Sequence, residues 1–309
     1  MQYRILAHIT GYNDSNSLNK CIDSLLKQTY QISELLIIDN SSTALAISVP
    51  LGKISLNVQH HPENIGMAGS LCQGIQYAVN HGFDFIWTFD QDSCPTDDTL
   101  EKLITFYTNF SKKDQIGILG CVAVDDSTGQ KDGGFLYKNY RFQKISCDLL
   151  NTYYECDAVI TSGSLINCQI APNVPLPNTL LFIDAVDFDY CMKIRQHNYK
   201  IFILNEAVLR HRFGNSRTVY LPCRSHATYL YTYSTLRYFY VHRNHTYLET
   251  RLARNLFFQV LSVAYRVLKA IRKVGVILIF EESDKLLKTY ACLRGTVDGL
   301  LGRLGKTWH

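Results

Sequence analysis

The sequence predicts an α/β fold, a mostly parallel sheet flanked by helices on both faces, followed by a helical amphipathic C-terminal extension. Three observations predict it. Short apolar runs alternate with helix-period segments through residues 3–89, three of those runs end in polar clusters, and from Asn255 to Phe280 polar side chains recur at steps of three and four.

Tyr3–Ile9 reads as extended, Ser17–Gln28 as helical, Leu35–Asp39 as extended, Met67–Asn80 as helical and Phe83–Phe89 as extended. A strand that returns to the sheet through a helix runs parallel to the strand before it. In such sheets ligands bind beyond the carboxyl ends of the strands. Those ends carry Thr10-Gly11-Tyr12-Asn13, Asp39-Asn40-Ser41-Ser42 and Asp90-Gln91-Asp92-Ser93, so the three loops are expected to converge on one crevice.

The middle of the chain is less regular. Ile116–Val124 and Ala158–Ile166 have strand character, and the polar stretch from Asp125 to Asp148 reads as an edge hairpin or an excursion over the site. After Pro177, Phe182–Cys191 leads into a helix ending near His197, and Lys200–Leu204 is strand-like. In the tail, Gln259, Ser262, Arg266, Lys269 and Lys273 share one arc and Leu, Phe, Val and Ile fill the rest, the pattern of a basic amphipathic helix at a membrane surface. The expected organisation is an α/β domain over residues 1–247 and a basic helical attachment region over 248–309.

Composition bounds the function. Of 309 residues, 47% are apolar and 19% charged, which excludes a disordered chain. Residues 251–309 hold 11 Lys and Arg against 4 Asp and Glu, whereas residues 1–250 hold 20 against 23, so the basic tail points to an anionic surface as partner. No nucleic-acid partner is expected: it is the weakest of the candidates, because the basic residues lie along one amphipathic helix and not in a patch with exposed aromatics; a docking face for another protein is the alternative to the membrane surface. The 10 cysteines form no CxxC pair and no basic, apolar leader opens the chain, so a cytoplasmic, reduced protein is expected. No apolar run reaches the length of about 18 residues that a membrane span needs.

Asp90 and Asp92 leave an apolar strand together, where their oxygens could hold a hard divalent cation against a diphosphate; the bland alternative is a turn. Asn64-Ile65-Gly66-Met67-Ala68-Gly69 opens the next helix upstream. Small residues there allow close backbone approach by a nucleotide, and a helix N-terminus favours negative charge; simple helix entry with tight packing at Gly66 and Gly69 is the alternative. Asp39 has a turn-forming alternative of the same kind.

The ordered set Thr10–Asn13, Asp39–Ser42, Asn64–Gly69 and Trp87–Ser93 resembles the family 2 glycosyltransferases of GT-A fold, and Phe89-Asp90-Gln91-Asp92-Ser93 is most similar to their bacterial rhamnosyltransferase branch. The resemblance continues through Thr161-Ser162-Gly163-Ser164, Phe182–Cys191 and His211, covering roughly residues 3–245. It implies a nucleotide-sugar site built from Thr10, Tyr12, Asn13, Asp39, Asn64, Gly66, Ala68, Gly69, Asp90 and Gln91. It also implies a Mg²⁺ or Mn²⁺ site at Asp90, Asp92 and His211, and Asp187 as the base that deprotonates the acceptor hydroxyl. Many relatives carry a second acid where this chain has Val186, which bears on how that base is tuned. Asp184 and Asp189 compete for the same role or for acceptor binding, and Gly163 falls in the same part of the motif set. Arg237 and Arg243 lie in a Tyr-rich segment that fits either diphosphate neutralisation or an aromatic helix packed on the core.

The implied activity is inverting transfer of a sugar, foremost L-rhamnose from dTDP-L-rhamnose, to a lipid-linked or polysaccharide acceptor of O-antigen or capsule, at the inner face of a bacterial membrane. UDP-galactofuranose, UDP-glucose and other hexose donors are the alternatives. A nucleotidyltransferase would need a Lys- or Arg-bearing glycine-rich loop near residue 12, which Gly11-Tyr12-Asn13-Asp14 is not. A non-catalytic scaffold on a degenerate transferase domain is the reading from another class; joint retention of Asp90, Asp92, Asp187 and His211 argues against it.

Overall fold

Strands buried on both faces need unbroken apolar runs, and the first strands have them. In the computed structural model, which describes residues 2–52, 54–145, 151–212, 214–219 and 228–308, β1 (Ile5–Gly11) leads through helix α1 (Ser15–Leu26) to β2 (Glu34–Asp39). Then come β3 (Ser55–His60), α2 (Gly66–Asn80), β4 (Phe85–Asp90), the short β5 (Ser93–Pro95), α3 (Thr99–Asn109) and β6 (Ile116–Asp125). Helix α1 starts where Asp14 caps it, accepting from Ser17 N, and it buries Leu18, Cys21, Ile22 and Leu25 at helical spacing against the sheet.

The middle supplies β7 (Lys131–Asp132), β8 (Phe135–Lys138), β9 (Arg141–Lys144), β10 (Tyr153–Cys156), β11 (Ser164–Asn167), α4 (Val186–Gln196) and β12 (Lys200–His211). The sheet order is β10-β12-β6-β11-β4-β1-β2-β3. β3, β2, β1 and β4 run parallel, as do β6 and β12, while β11 enters antiparallel between β4 and β6. This is the mostly parallel sheet flanked by helices that the sequence predicted.

Two points of the sequence reading are corrected, and a third is made definite. Edge strand β3 escaped notice because Ser55-Leu-Asn-Val-Gln-His60 is half-exposed and polar. Of the expected strand Ala158–Ile166, Ala158 makes only an isolated bridge to Phe135 and the strand proper begins at Ser164, because Gly163 turns the chain at φ 79°. The stretch from Asp125 onward forms β7 and the β8–β9 hairpin; its residues 146–148 lie outside the described residues.

The chain divides into two compact units. The first comprises Met1–Leu136, Lys144–Asn178 and Asp187–His211, and contains the sheet. The second comprises Tyr137–Gln143, Thr179–Val186 and Arg212–His309. It holds the antiparallel pair β13 (Asn215–Val219) and β14 (Thr228–Thr232) and helices α5 (Thr235–Leu252), α6 (Leu256–Phe280) and α7 (Lys285–Leu301). Residue 247 lies within α5. Phe182, Tyr238, Phe239, Tyr240, Ile277, Ala291 and Cys292 form the core of this unit, with Trp308 packed against it. Gly295 and Gly299 of α7 lie directly on the Phe239 and Arg243 carbonyls of α5, where no Cβ fits.

Helix α6 starts at Asn255, whose side chain accepts from Phe258 N at 3.0 Å. Of the polar arc seen in the sequence, Ser262 and Arg266 are buried, and Phe257, Val260, Leu268, Ile271 and Ile279 of the apolar remainder are exposed. Among the described residues no helix is long and apolar enough to cross a membrane, and the cysteines described are all free.

Candidate active site

The parallel register of β1 with β2 and β4 pairs Gly11 with Asp39 and Thr10 with Asp90, so the three polar loops do emerge side by side. They are bonded to one another. Tyr12 N donates to Gln91 Oε1 at 2.7 Å, Gln91 Nε2 returns a bond to Tyr12 O at 2.8 Å, and Asn13 N donates to Ser41 Oγ at 2.7 Å. The Tyr12 ring stays exposed, as a stacking surface must.

Asp39 is buried, and its carboxylate accepts Ser41 N and Leu45 N at 2.9 and 2.8 Å, so it shapes its own loop. Asn40 Oδ1 accepts Ile65 N at 3.0 Å and Asn64 Oδ1 accepts Gly66 N at 2.9 Å, which ties the α2 entry to β2. Asn64 and Gly66 take left-handed φ of 55° and 73°, Ala68 is buried, and Gly69 lies against Ile65. Below Thr10, its hydroxyl bonds Ser70 Oγ at 2.7 Å, and that hydroxyl meets His8 Nε2 at 3.2 Å. Burial lowers His8 to about 4, so it stays neutral beneath the loop.

At the ends of β4 and β12, Asp90, Asp92 and His211 each offer a ligand atom, all within 4.8 Å of one another. β5 pairs antiparallel with β12 and sets His211 opposite Ser93. The Ser93 hydroxyl bonds His211 Nδ1 at 2.7 Å, and Asp92 Oδ1 lies 3.5 Å from the same nitrogen. Ser162 donates from Oγ to Asp90 Oδ2 at 2.9 Å and accepts Asp90 N at 3.0 Å. Two carboxylates and an imidazole, each held by a hydroxyl or a neighbouring ligand, fit a divalent cation. Ser93 and Ser162 went unselected in the sequence; Ser93 was signalled only by following Asp92, and Ser162 by a Ser-Gly turn. Gly163 is a structural neighbour of this set: its carbonyl accepts Trp87 Nε1 at 3.2 Å, and a Cβ there would collide with Cys121 Sγ.

The first turn of α4 supplies two carboxylates with different fates. Asp189 accepts Asn178 N at 2.8 Å and Lys193 Nζ at 2.7 Å and is buried. Those partners make it a strut of the helix. Asp187 is partly exposed and accepts Phe188 N at 2.9 Å and Thr161 N at 3.3 Å, and the helix N-terminus favours its anion.

In the second unit, Asp184 lies 3.4 Å from Arg237 Nε. Arg243 is fully buried: its guanidinium donates to the carbonyls of Leu180, Leu181 and Gly305, at 3.2, 3.0 and 2.5 Å. Asn244 Nδ2 donates to Leu181, Ile183 and Asp184 carbonyls at 2.8, 2.6 and 2.9 Å. Together they clamp a loop in which Phe182, Asp184 and Ala185 all hold left-handed φ, a conformation costing about 1–3 kcal/mol at each non-glycine residue. Arg243 is therefore spent on backbone carbonyls, the packed-helix alternative for that segment.

Residues 7–159 match the family model "Glycosyl transferase family 2". The chain carries a family 2 glycosyltransferase domain. It is 26% identical over 219 residues to the dTDP-rhamnosyl transferase RfbF of Shigella flexneri, covering 70% of this chain and 71% of that one. Its fold is similar to that of GalNAc-T7 solved with UDP, GalNAc and Mn²⁺ (TM-score 0.53, 15% identity, 69% of this chain and 43% of that one). It is also similar to the mannosyltransferase PcManGT of Pyrobaculum calidifontis solved with GDP-Man and Mn²⁺ (TM-score 0.52, 12% identity, 98% of this chain and 88% of that one). The family 2 glycosyltransferase sheet thus has the GT-A arrangement, and the paired carboxylates with His211 stand at its strand ends.

Proposed function

We propose that this glycosyltransferase inverts the anomeric centre as it moves L-rhamnose from dTDP-L-rhamnose to a lipid-linked or polysaccharide acceptor of bacterial surface polysaccharide, with Mg²⁺ or Mn²⁺ as cofactor. The observation that carries the reading is the Asp90, Asp92 and His211 cluster at the strand ends. The rhamnosyl relative supports the donor, and UDP-galactofuranose and UDP-glucose are the competing donors.

A divalent cation held there supplies Lewis-acid neutralisation of the leaving diphosphate. The rest falls to the chain. Tyr12, Asn13 and the Asp39 loop bound the nucleotide, and the α2 entry offers backbone N–H groups to phosphate. Asp187 takes the acceptor proton as the hydroxyl attacks the anomeric carbon opposite the diphosphate. Arg237 remains the candidate for diphosphate contact, with Arg243 reassigned to loop support. Residues 1–247 and 248–309 keep the proposed roles of catalytic domain and attachment region.

The attachment surface is the cytoplasmic leaflet. On α6, Phe257, Val260, Leu268, Ile271 and Ile279, and on α7, Leu286, Tyr290 and Val297, are exposed, more apolar side chain than water-facing helices usually carry. The deciding experiment measures hydrolysis and transfer of dTDP-rhamnose, UDP-galactofuranose, UDP-glucose and UDP-N-acetylglucosamine with and without Mn²⁺. Metal-dependent turnover of dTDP-rhamnose, lowered on the order of 10²-fold in Asp92→Asn, is expected. Turnover of another donor reassigns the sugar, and no binding of any donor ends the transferase reading.

A further inference from the structure

The inward arc of α6 carries more positive charge than its surroundings neutralise. Arg266 is 1% exposed; its Nε donates to Thr246 Oγ1 at 3.1 Å, and its Nη1 lies 3.6 Å from Glu249 Oε2, beyond hydrogen-bond reach. Among the described residues, Arg266 Nη1, Glu249 Oε2 and Ser262 Oγ are buried without a hydrogen-bond partner. From the tip of the β8–β9 hairpin, Phe142 N reaches Glu249 Oε1 at 3.3 Å. The same tip brings Arg141 over the Tyr265 ring, 4.9 Å from its centroid, and Lys269 Nζ stands 5.6 Å from that centroid. Three cations, Arg141, Arg266 and Lys269, thus surround one carboxylate. His242 and His245 bring no counter-charge: burial, with the Arg266 and Lys269 charges, lowers His242 to about 3 and His245 far below its usual value.

Arg266 is buried, Arg141 is half-buried and Lys269 is exposed, and with one carboxylate against three cations an anion is what the cluster lacks. The chemistry of that anion follows from what flanks Lys269. Val267, Leu268 and Ile271 are exposed apolar side chains on the same helix, so an anion bound there would rest its substituents on hydrocarbon. Guanidinium groups and an ammonium with an unmet buried N–H suit a phosphate group.

We propose that Arg141, Arg266, Lys269 and Tyr265 form a phosphate-binding site for the head of an anionic membrane lipid, seated beside the apolar face of α6. This rests on the membrane-surface reading above, and the experiment separates the two. Full-length protein is measured against vesicles of phosphatidylcholine, vesicles containing phosphatidylglycerol, soluble dihexanoyl phosphatidic acid and inorganic phosphate. The variants are Lys269→Gln, Arg141→Gln and, as a control cation distant in sequence, Arg303→Gln; donor hydrolysis serves as the check that each is folded.

Phosphatidylglycerol is expected to tighten wild-type vesicle binding about tenfold, and Lys269→Gln or Arg141→Gln to remove about fivefold of that gain while leaving phosphatidylcholine binding unchanged. Dihexanoyl phosphatidic acid should raise the melting temperature of wild type and not of Lys269→Gln. An equal loss in Arg303→Gln overturns the site, because it would mean diffuse attraction. Binding to no vesicle ends the membrane reading while the soluble lipid still decides the site: absence of stabilisation by both soluble phosphates overturns it. Stabilisation by inorganic phosphate as strong as by the short-chain lipid upholds the site and assigns it to free phosphate.

Discussion

Both units of this chain bury an apolar core, but they differ in where their charged and exposed apolar side chains lie. In the sheet unit, Leu36, Ile37, Trp87 and Phe89 are buried and the polar residues emerge where strands end. In the helical unit, Ser262, Arg266, Glu249, Arg243 and Asn244 are buried and Leu268, Ile271, Ile279 and Leu286 are exposed. Water as the neighbour accounts for the first unit, and the proposed membrane surface is what would account for the second. An apolar outer face is stable where its outer neighbour is also apolar, and the polar groups behind this one include Arg266 Nη1, Glu249 Oε2 and Ser262 Oγ, buried without a hydrogen-bond partner.

The largest expected effect tests the chemistry of the sheet unit. Asp187→Asn keeps one of the two backbone N–H contacts of the side chain but removes its basicity, so sugar transfer should fall about 10³-fold with donor binding retained, measured by turnover and by calorimetry. Loss within tenfold would move the base elsewhere. Asp189 is the poorer candidate, since its Lys193 and Asn178 bonds make substitution a matter of stability first.

The same difference decided how much could be read in advance. The sheet unit was legible because buried parallel strands require apolar runs, and Asp39, Asp90 and Asp92 mark their ends. Edge strand β3 was not, because a half-exposed strand needs no such run. His211 was found by resemblance alone; its link to Ser93 comes from antiparallel β5–β12 pairing across more than a hundred residues, which no local pattern encodes. In α6 the periodicity gave the two arcs but not their direction, because periodicity is blind to which side meets the neighbour. Arg243 looked like a site residue since Arg beside aromatics serves phosphate or carbonyl groups alike.

Next in size is the clamp of the helical unit. Asn244→Ala takes their side-chain donor from the Ile183 and Asp184 carbonyls, while Leu181 keeps Arg243, and should cost about 2 kcal/mol. The chain has two tryptophans, Trp87 in the sheet unit and Trp308 in the helical unit, so single-tryptophan variants follow each unit by fluorescence during urea unfolding. The Trp308 transition should move and the Trp87 transition should stay; equal movement of both would mean the units unfold as one.

Acid sharpens the contrast further. A histidine whose folded pKa is depressed is protonated first in the unfolded chain, so its stabilisation is complete above the ordinary value of 6.5 and is lost as pH falls below it. The loss runs down to about 4 for His8 in the sheet unit and to about 3 for His242 in the helical unit, where His245 is also depressed. Lowering pH from 7 to 5 should cost about 2 kcal/mol for each such histidine. The Trp308 midpoint should therefore fall by more than the Trp87 midpoint, and His242→Gln should narrow the gap; an equal fall would show that the helical unit holds its histidines no more tightly.

The smallest effect bears most directly on the exposed apolar side chains. Leu103 is 0% exposed in the sheet unit and Leu268 is 65% exposed in the helical unit. Leu103→Ala should lose about 3 kcal/mol of stability through the cavity it leaves. Leu268→Ser has no cavity to make, so the melting temperature should hold, while vesicle binding weakens about fivefold as one partly inserted side chain, on the order of 1 kcal/mol, is lost. Stability falling with Leu268→Ser would place that leucine in a packed interface of the protein, and unchanged vesicle binding would place the membrane against some other face. In either case, the exposed arc of α6 would no longer account for the charges buried behind it.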